Sequence, residues 1–498
     1  MRDDGSGCII SPDIVGQIIP DEYLVRPETL QTSPIKMTGN RFLHVLASLV
    51  VVAFLLIYYG RYIELSGDFV MHFMLVDELM KHGMRRPDVH DIGMMNIYPD
   101  GAHWMAAVLG WIGGSGLVAI VLITVASVFV CYLLLIELVG KDSPVRVALA
   151  TLAFMLLAGT HSLIGWEVNV NYFYPQLVDN IALLGTLLLL VRVHGEWKQA
   201  GMAFAIGALA MFIHPLVALQ ILACGLVFLA WHGITVGHAF RRIPLQITAA
   251  TVALLVGSLA ILKFHPAFQA MRQAAENDGY LVFSYSNVLL VALMCAFIGI
   301  VSLYRPAHRQ DTVIACACIA TASLALMQYA ALRYGHIGSN YAVKKHMFVV
   351  VTLAAISAIR LISRWRGIGW NMGWIFAPVL AGLASIHILE PFNTPVAPVL
   401  RAISYANYVA QFDLAGFRPG NTVSDDRTQS PMINFMISTT AFQQPFGVKQ
   451  TTWIYGADPT IGATYAMVRR TPEVDATCHN RYAEVSDYVM VDPSCLRR

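Results

Sequence analysis

The sequence predicts an all-α polytopic membrane protein of about 11 transmembrane helices. It also predicts a long first outer loop and a small C-terminal α/β domain outside the membrane. Three observations carry this. Of 498 residues, 57% are hydrophobic and only 13% charged, against about a quarter charged in soluble domains. Apolar runs of about 20 residues, the length that crosses a bilayer core as a helix, recur along the chain. Lys and Arg gather in alternate short connections, the pattern that orients membrane helices. The net charge of +2 gives no reason to expect nucleic acid.

Residues 1–40 are polar, with Pro12, Pro20, Pro27 and Pro34, and read as a disordered cytoplasmic leader. The expected spans follow at about 43–60, 116–139, 146–165, 176–193, 199–213, 215–233, 244–263, 284–303, 312–332, 346–363 and 371–389. Only His214 and Pro215 separate the pair 199–213 and 215–233, but together they are twice the length one span needs. If Arg41 precedes a first span running outward, the inner connections carry Lys141/Arg146, Arg192/Lys198, Arg241/Arg242, Arg305/Arg309 and Arg364/Arg366. The N-terminus is then cytoplasmic, residues 41–389 form the membrane core, and residues 390–498 form an outer domain. There Cys478 and Cys495 would meet an oxidising compartment and form a disulfide. The remaining six cysteines fall in the leader or in apolar runs, where they act as small hydrophobes.

Residues 61–115 form the long outer loop. Its segment 101–113 is apolar but too short to span, and Gly113-Gly114-Ser115-Gly116 breaks it from the next helix. It reads as a helix in the outer interface, where Trp104 and Trp111 are at home. Loops of this length are usually functional or disordered, and this one is too apolar and aromatic for disorder.

Five polar clusters lie on the outer side. The first is Glu64 with Asp68 and His72, which share a face on a helix starting near Asp68, opposite Phe69, Phe73 and Val76. Asp68 there is either a reacting carboxylate or a first-turn acid favoured by the helix dipole. The second, Tyr98-Pro99-Asp100-Gly101-Ala102-His103-Trp104, turns the chain into the interfacial helix. The third joins Glu167, Asn169 and Tyr174 with Asp179, an ionisable group inside a span and so a functional candidate. Its aromatics and amides suit a sugar or an interfacial belt equally. The fourth is His214. The fifth runs from Arg333 to Lys344, Lys345 and His346 at a helix start, where the lysines either snorkel or clamp a phosphate.

This layout resembles the GT-C superfamily of integral membrane glycosyltransferases, which use polyprenyl-phosphate-linked sugars. Ser66-Gly67-Asp68-Phe69-Val70-Met71-His72 sits where that family places its catalytic acid. Tyr98-Pro99-Asp100-Gly101 is similar to the family's Tyr-Pro-Pro-Gly element, with Asp100 replacing the second Pro. The resemblance implies transfer of a sugar to a cell-envelope glycan or lipid acceptor on the periplasmic face of a bacterial inner membrane. It implies Asp68 as base, alone or with Glu64 or His72, and Lys344, Lys345, His346 and Arg333 at the donor phosphate. Tyr98, His103, Glu167, Asn169, Tyr174, Asp179 and His214 would line the substrate site. Many members carry a second acid beside the first; here Gly67 and Phe69 flank Asp68, so neither a cofactor nor a metal is expected. The rival readings are a ligase using a polyprenyl diphosphate and a transporter or flippase. A transporter tends to show internal repeats and mid-membrane polar residues.

Overall fold

The computed structural model describes residues 38–58, 67–141, 143–157, 163, 165, 168, 172–240, 244–274, 285–304, 306–364, 398–413, 422–454 and 456–496. The expected leader up to residue 37, the expected span 371–389, and Glu64, Glu167 and Asn169 lie outside them.

Helix α1 (Thr38–Tyr58) precedes a long connection that holds α2 (Gly67–His82) and α3 (Gly101–Gly113). At about 1.5 Å per residue α3 is too short to cross a bilayer. It leaves Trp111 and Ile112 exposed and ends on Gly114 in the left-handed conformation. The bundle follows as α4 (Gly116–Val139), α5 (Pro144–Leu157), α6 (Tyr174–Arg192), α7 (Glu196–Ala210), α8 (Pro215–Phe240), α9 (Leu245–Phe264), α10 (Pro266–Ala274), α11 (Tyr285–Leu303), α12 (Arg309–Gly335) and α13 (Asn340–Arg364). Ser115 caps α4, its hydroxyl accepting from the Val118 N–H at 3.3 Å.

Among the described residues, six helices (α4, α6, α8, α9, α12 and α13) are long and apolar enough to cross a membrane. Shorter apolar segments lie in α1, α5 and α11. The expected pair 199–213 and 215–233 forms two helices, α7 and α8, packed side by side. The expected helix start at His346 is corrected: α13 begins at Asn340. Lys345 and His346 therefore stand more than a turn inside it, and their backbone N–H groups are already committed to the helix.

One end of the bundle is basic. Arg192 and Lys141 pair with Glu137 at 3.0 and 2.8 Å, and Arg309 donates to the Val193 carbonyl at 2.8 Å. Buried Arg360 on α13 pairs with Asp311 on α12 and donates to the last carbonyls of α4, Leu138 at 3.0 Å and Val139 at 2.7 Å. A cation there meets the negative end of the α4 dipole.

The C-terminal domain opens with α14 (Pro398–Asp413), then β1 (Thr422–Ser424), α15 (Pro431–Thr440), α16 (Val448–Ile454), β2 (Tyr465–Arg469), α17 (Pro472–Thr477), β3 (Arg481–Val485) and β4 (Tyr488–Val491). The sheet order is β1-β2-β4-β3, with β1 parallel to β2 and the other pairs antiparallel. Buried Asp426 accepts from Tyr408 on α14 at 3.0 Å and Tyr488 on β4 at 2.8 Å, tying that helix to the sheet. Helix α14 also packs on α1 and α4. A disulfide joins Cys478 to Cys495.

The expected split of α2 into polar and apolar faces is corrected as well. Its polar-face residue His72 is as buried as Phe69, Phe73 and Val76, because His103 of α3 meets it and Tyr98, Tyr172 and Tyr174 surround it. Helix α15 packs on α2 as well, with Lys81 reaching the Thr440 carbonyl at 3.4 Å. Glu78 is held by Arg86 Nε at 2.7 Å and His90 Nδ1 at 3.2 Å. Burial alone would raise its carboxyl, but the hydrogen bonds from His90 and Arg86 outweigh this and hold it at about 2. Its contribution is complete above the unfolded carboxylate range and is lost as pH falls from about 4.5 to about 2. Glu78→Gln should weaken this lock by about 2 kcal/mol, the scale of hydrogen bonds to a charged group. Trypsin at neutral pH should then cut faster at Arg85 and Arg86 than in the wild-type protein.

Candidate active site

The site forms where α2, α3, α6, α8 and α13 meet, at the end of the bundle opposite Arg360. Asp68 stands half-buried in the first turn of α2. One turn on, His72 Nδ1 meets His103 Nε2 of α3 at 3.0 Å. Tyr98, Tyr172 and Tyr174 ring the His72 imidazole at centroid distances of 5.5, 6.4 and 6.0 Å. Tyr174 fixes the wall by donating to the Ala102 carbonyl at 2.7 Å. Tyr172 is left-handed, with φ of 47°, a conformation costly for a bulky residue. Its hydroxyl hydrogen bond to Thr124 at 2.8 Å helps hold it there. Gly101 lets α3 approach the α7–α8 turn: its N–H donates to the Phe212 carbonyl at 2.9 Å, and a Cβ would sit 2.7 Å from that oxygen.

Lys345 of α13 supplies the cation. It is buried, seated over the rings of Phe173 at 4.1 Å and Tyr341 at 4.3 Å, contacts that suit an ammonium group. It lies within electrostatic reach of Asp68, His72 and His214. Burial pushes the Asp68 carboxyl up to about 6, against the opposing pull of Lys345. Burial lowers both histidines, His103 to about 3 and His72 well below the usual range, the latter helped by His103, Lys345 and His214. Two neutral imidazoles therefore share a hydrogen bond beside a carboxyl that ionises near neutrality.

Deeper in lies a second polar group. Asp179 is buried against the His214 backbone, whose N–H is already given to the Ala210 carbonyl at 2.8 Å. Gln220 Nε2 lies 2.8 Å from His346 Nδ1. Buried polar atoms of Gln176, Asp179, Asn180, His214, Gln220 and His346 have no hydrogen-bond partner among the described residues. Buried polar groups are ordinarily paired by protein, water or ligand, and these are the atoms that a bound water or ligand would pair.

The structure thus gathers Asp68, His72, Tyr98, His103, Tyr174, Asp179, His214, Lys345 and His346. The two lysines do not act as a pair. Consecutive helical residues diverge by about 100°, and Lys344 is half-buried where Lys345 is buried. Arg333 is exposed in the last turn of α12, and none of the contacts described includes it. Sequence reasoning missed Asn180, Gln220 and the part played by Tyr172. Asn180 and Gln220 are polar residues in apolar helices, a signal that was there to read.

The fold and site define an integral membrane protein with a buried acid, histidine and lysine centre at one end of its bundle. No family model matches the chain, and no curated protein matches it. Its backbone is similar to that of ArnT from Cupriavidus metallidurans bound to undecaprenyl phosphate, at 13% identity over 92% of this chain and 98% of that one, with a TM-score of 0.47. ArnT from the same organism in the apo state matches over the same shares at 14% identity, with a TM-score of 0.39. Likeness of that degree carries no activity across.

Proposed function

We propose that the chain is a membrane glycosyltransferase that moves a sugar from a polyprenyl-phosphate donor to a cell-envelope glycan or lipid acceptor at the non-cytoplasmic face. The single observation that carries this reading is the half-buried Asp68 carboxyl with the buried Lys345 ammonium in electrostatic reach. Transfer needs a base for the acceptor hydroxyl and a cation for the charge that grows on the departing phosphate. Asp68 takes the acceptor proton as the acceptor oxygen bonds to the sugar carbon. The sugar–phosphate bond breaks, and its electrons leave with the lipid phosphate, facing Lys345. Tyr98, Tyr174 and the neutral His72–His103 pair present rings and hydrogen-bonding groups to the sugar. Asp179 and His214 bind hydroxyls deeper in the chamber. A bacterial inner membrane fits this chemistry, with the basic loops and N-terminus cytoplasmic and the C-terminal domain outside.

The experiment is to incubate purified protein with a panel of polyprenyl-phosphate sugars and measure free polyprenyl phosphate. Release should rise with pH through about 6, because a general base works only when deprotonated. Absence of release with every donor, or a rate falling across that window, overturns the reading.

A further inference from the structure

The C-terminal domain carries a cleft of about 530 Å³, well apart in chemistry from the histidine chamber. Buried Phe435 of α15 and Trp453 of α16 lie in its wall, rings 6.4 Å apart and nearly perpendicular. Asp425, Arg427, Gln429 and Asp458 line it too, beside smaller residues such as Pro431 and Ala457. Asp425 is half-buried, Arg427 and Asp458 exposed, and Asp425 lies within electrostatic reach of both. Asp458 spends only Oδ1 on local structure, accepting from the Thr460 N–H at 2.8 Å and hydroxyl at 2.6 Å.

These groups select a ligand by its chemistry. Two carboxylates against one guanidinium disfavour an anion such as a phosphate. Charged groups around the opening disfavour an apolar ligand, whose burial would strip them of water. A neutral sugar satisfies every part: its hydroxyls donate to the carboxylates and accept from Arg427 and Gln429, and its C–H face covers a ring.

The cleft is joined to the active-site helix. Trp453 lines it, and the next residue, Ile454, packs at the start of α2, its Cδ1 3.1 Å from where a Cβ on Gly67 would stand. Gly67 directly precedes Asp68. Phe435 rests on Phe446 at 5.8 Å, and the Phe446 N–H donates to the Asp91 carbonyl of the outer loop at 2.8 Å.

We infer that this cleft is a binding subsite for a neutral glycan residue, held by Trp453, Asp425, Asp458, Arg427 and Gln429. Its role as part of the acceptor site rests on the transferase reading; its affinity for sugar does not.

The test is saturation-transfer NMR on the full chain in lipid nanodiscs free of sugar detergent. The probes are methyl pyranosides of glucose, mannose and galactose and methyl arabinofuranoside, at millimolar concentration. At least one should receive saturation at its ring C–H protons, inorganic phosphate should not displace it, and Trp453→Ala should weaken binding roughly tenfold or more, as for loss of a buried aromatic anchor. Because Trp453 is buried, Arg427→Gln with Gln429→Ala is made in parallel; both are surface changes and should lower the signal in correctly folded protein. No transfer to any glycoside, displacement by phosphate, or a wild-type signal in the folded variants overturns the inference. None of these measurements needs a donor, so failure of the transferase reading shows separately, as wild-type protein that releases no polyprenyl phosphate.

Discussion

Asp68→Asn should reduce transfer by roughly 10²- to 10⁴-fold, the usual contribution of a general base, with expression and thermal stability unchanged. Asn keeps the size of the side chain and serves a helix start nearly as well. The substitution therefore separates the two roles that Asp68 could fill. A helix-starting acid would tolerate it, and activity would survive. A base would not, and added substrate would not restore the rate. His72→Ala and Glu64→Gln, assayed alongside, show whether either shares the work: His72 meets His103 at 3.0 Å and stands one turn from Asp68.

Lys345→Gln should lower donor use by roughly ten- to a hundredfold, the value of one charge-assisted contact of about 1.5–3 kcal/mol. It should also move the rising limb of the pH profile upward. Lys345 pulls the Asp68 carboxyl down against the effect of burial, so its removal leaves the acid protonated to higher pH. A structural lysine would alter stability and leave that limb where it was. Lys344→Gln is the internal control, since the neighbouring side chain leaves the helix in another direction, and it should change the rate far less. A wild-type rate and limb in Lys345→Gln would remove the proposed phosphate contact and send the search to other cations at that end of the bundle.

Local signals were readable wherever one element determined its own environment. The α4 boundaries follow from an apolar run closed by Ser115 and Gly140, and α3 from its Gly-rich end. Strand β4 occupies the segment Tyr488–Val491 that its β-branched and aromatic residues mark out. Asp68 and His72 could be placed on one helix face because four residues make about one turn. What sequence could not supply was the partner of each face. His72 looks solvent-facing until His103 of α3, Tyr98 and Tyr174 are laid around it, and Glu78 until Arg86 and His90 fold back onto it. The lysine pair looked like one clamp because adjacency in sequence resembles adjacency in space; the twist of α13 undoes it. The left-handed Tyr172 follows a stretch whose sequence has no periodicity to read.

The cover over α2 has a consequence in time. Gly67 leaves the ribosome about 360 residues before Pro431, which at roughly 5–20 residues per second is a wait of about 20–70 s. Through that interval the nascent bundle already carries Asp68 and, later, Lys345, but not the helices that press on α2 from outside. The carboxyl is then more hydrated than in the finished molecule, and an acid surrounded by water ionises in its ordinary range. A half-made chain in the membrane is thus a poor base beside whatever lipid it meets. On the transferase reading, the carboxyl reaches its raised range only after Pro431–Ile454 has been made and folded onto α2.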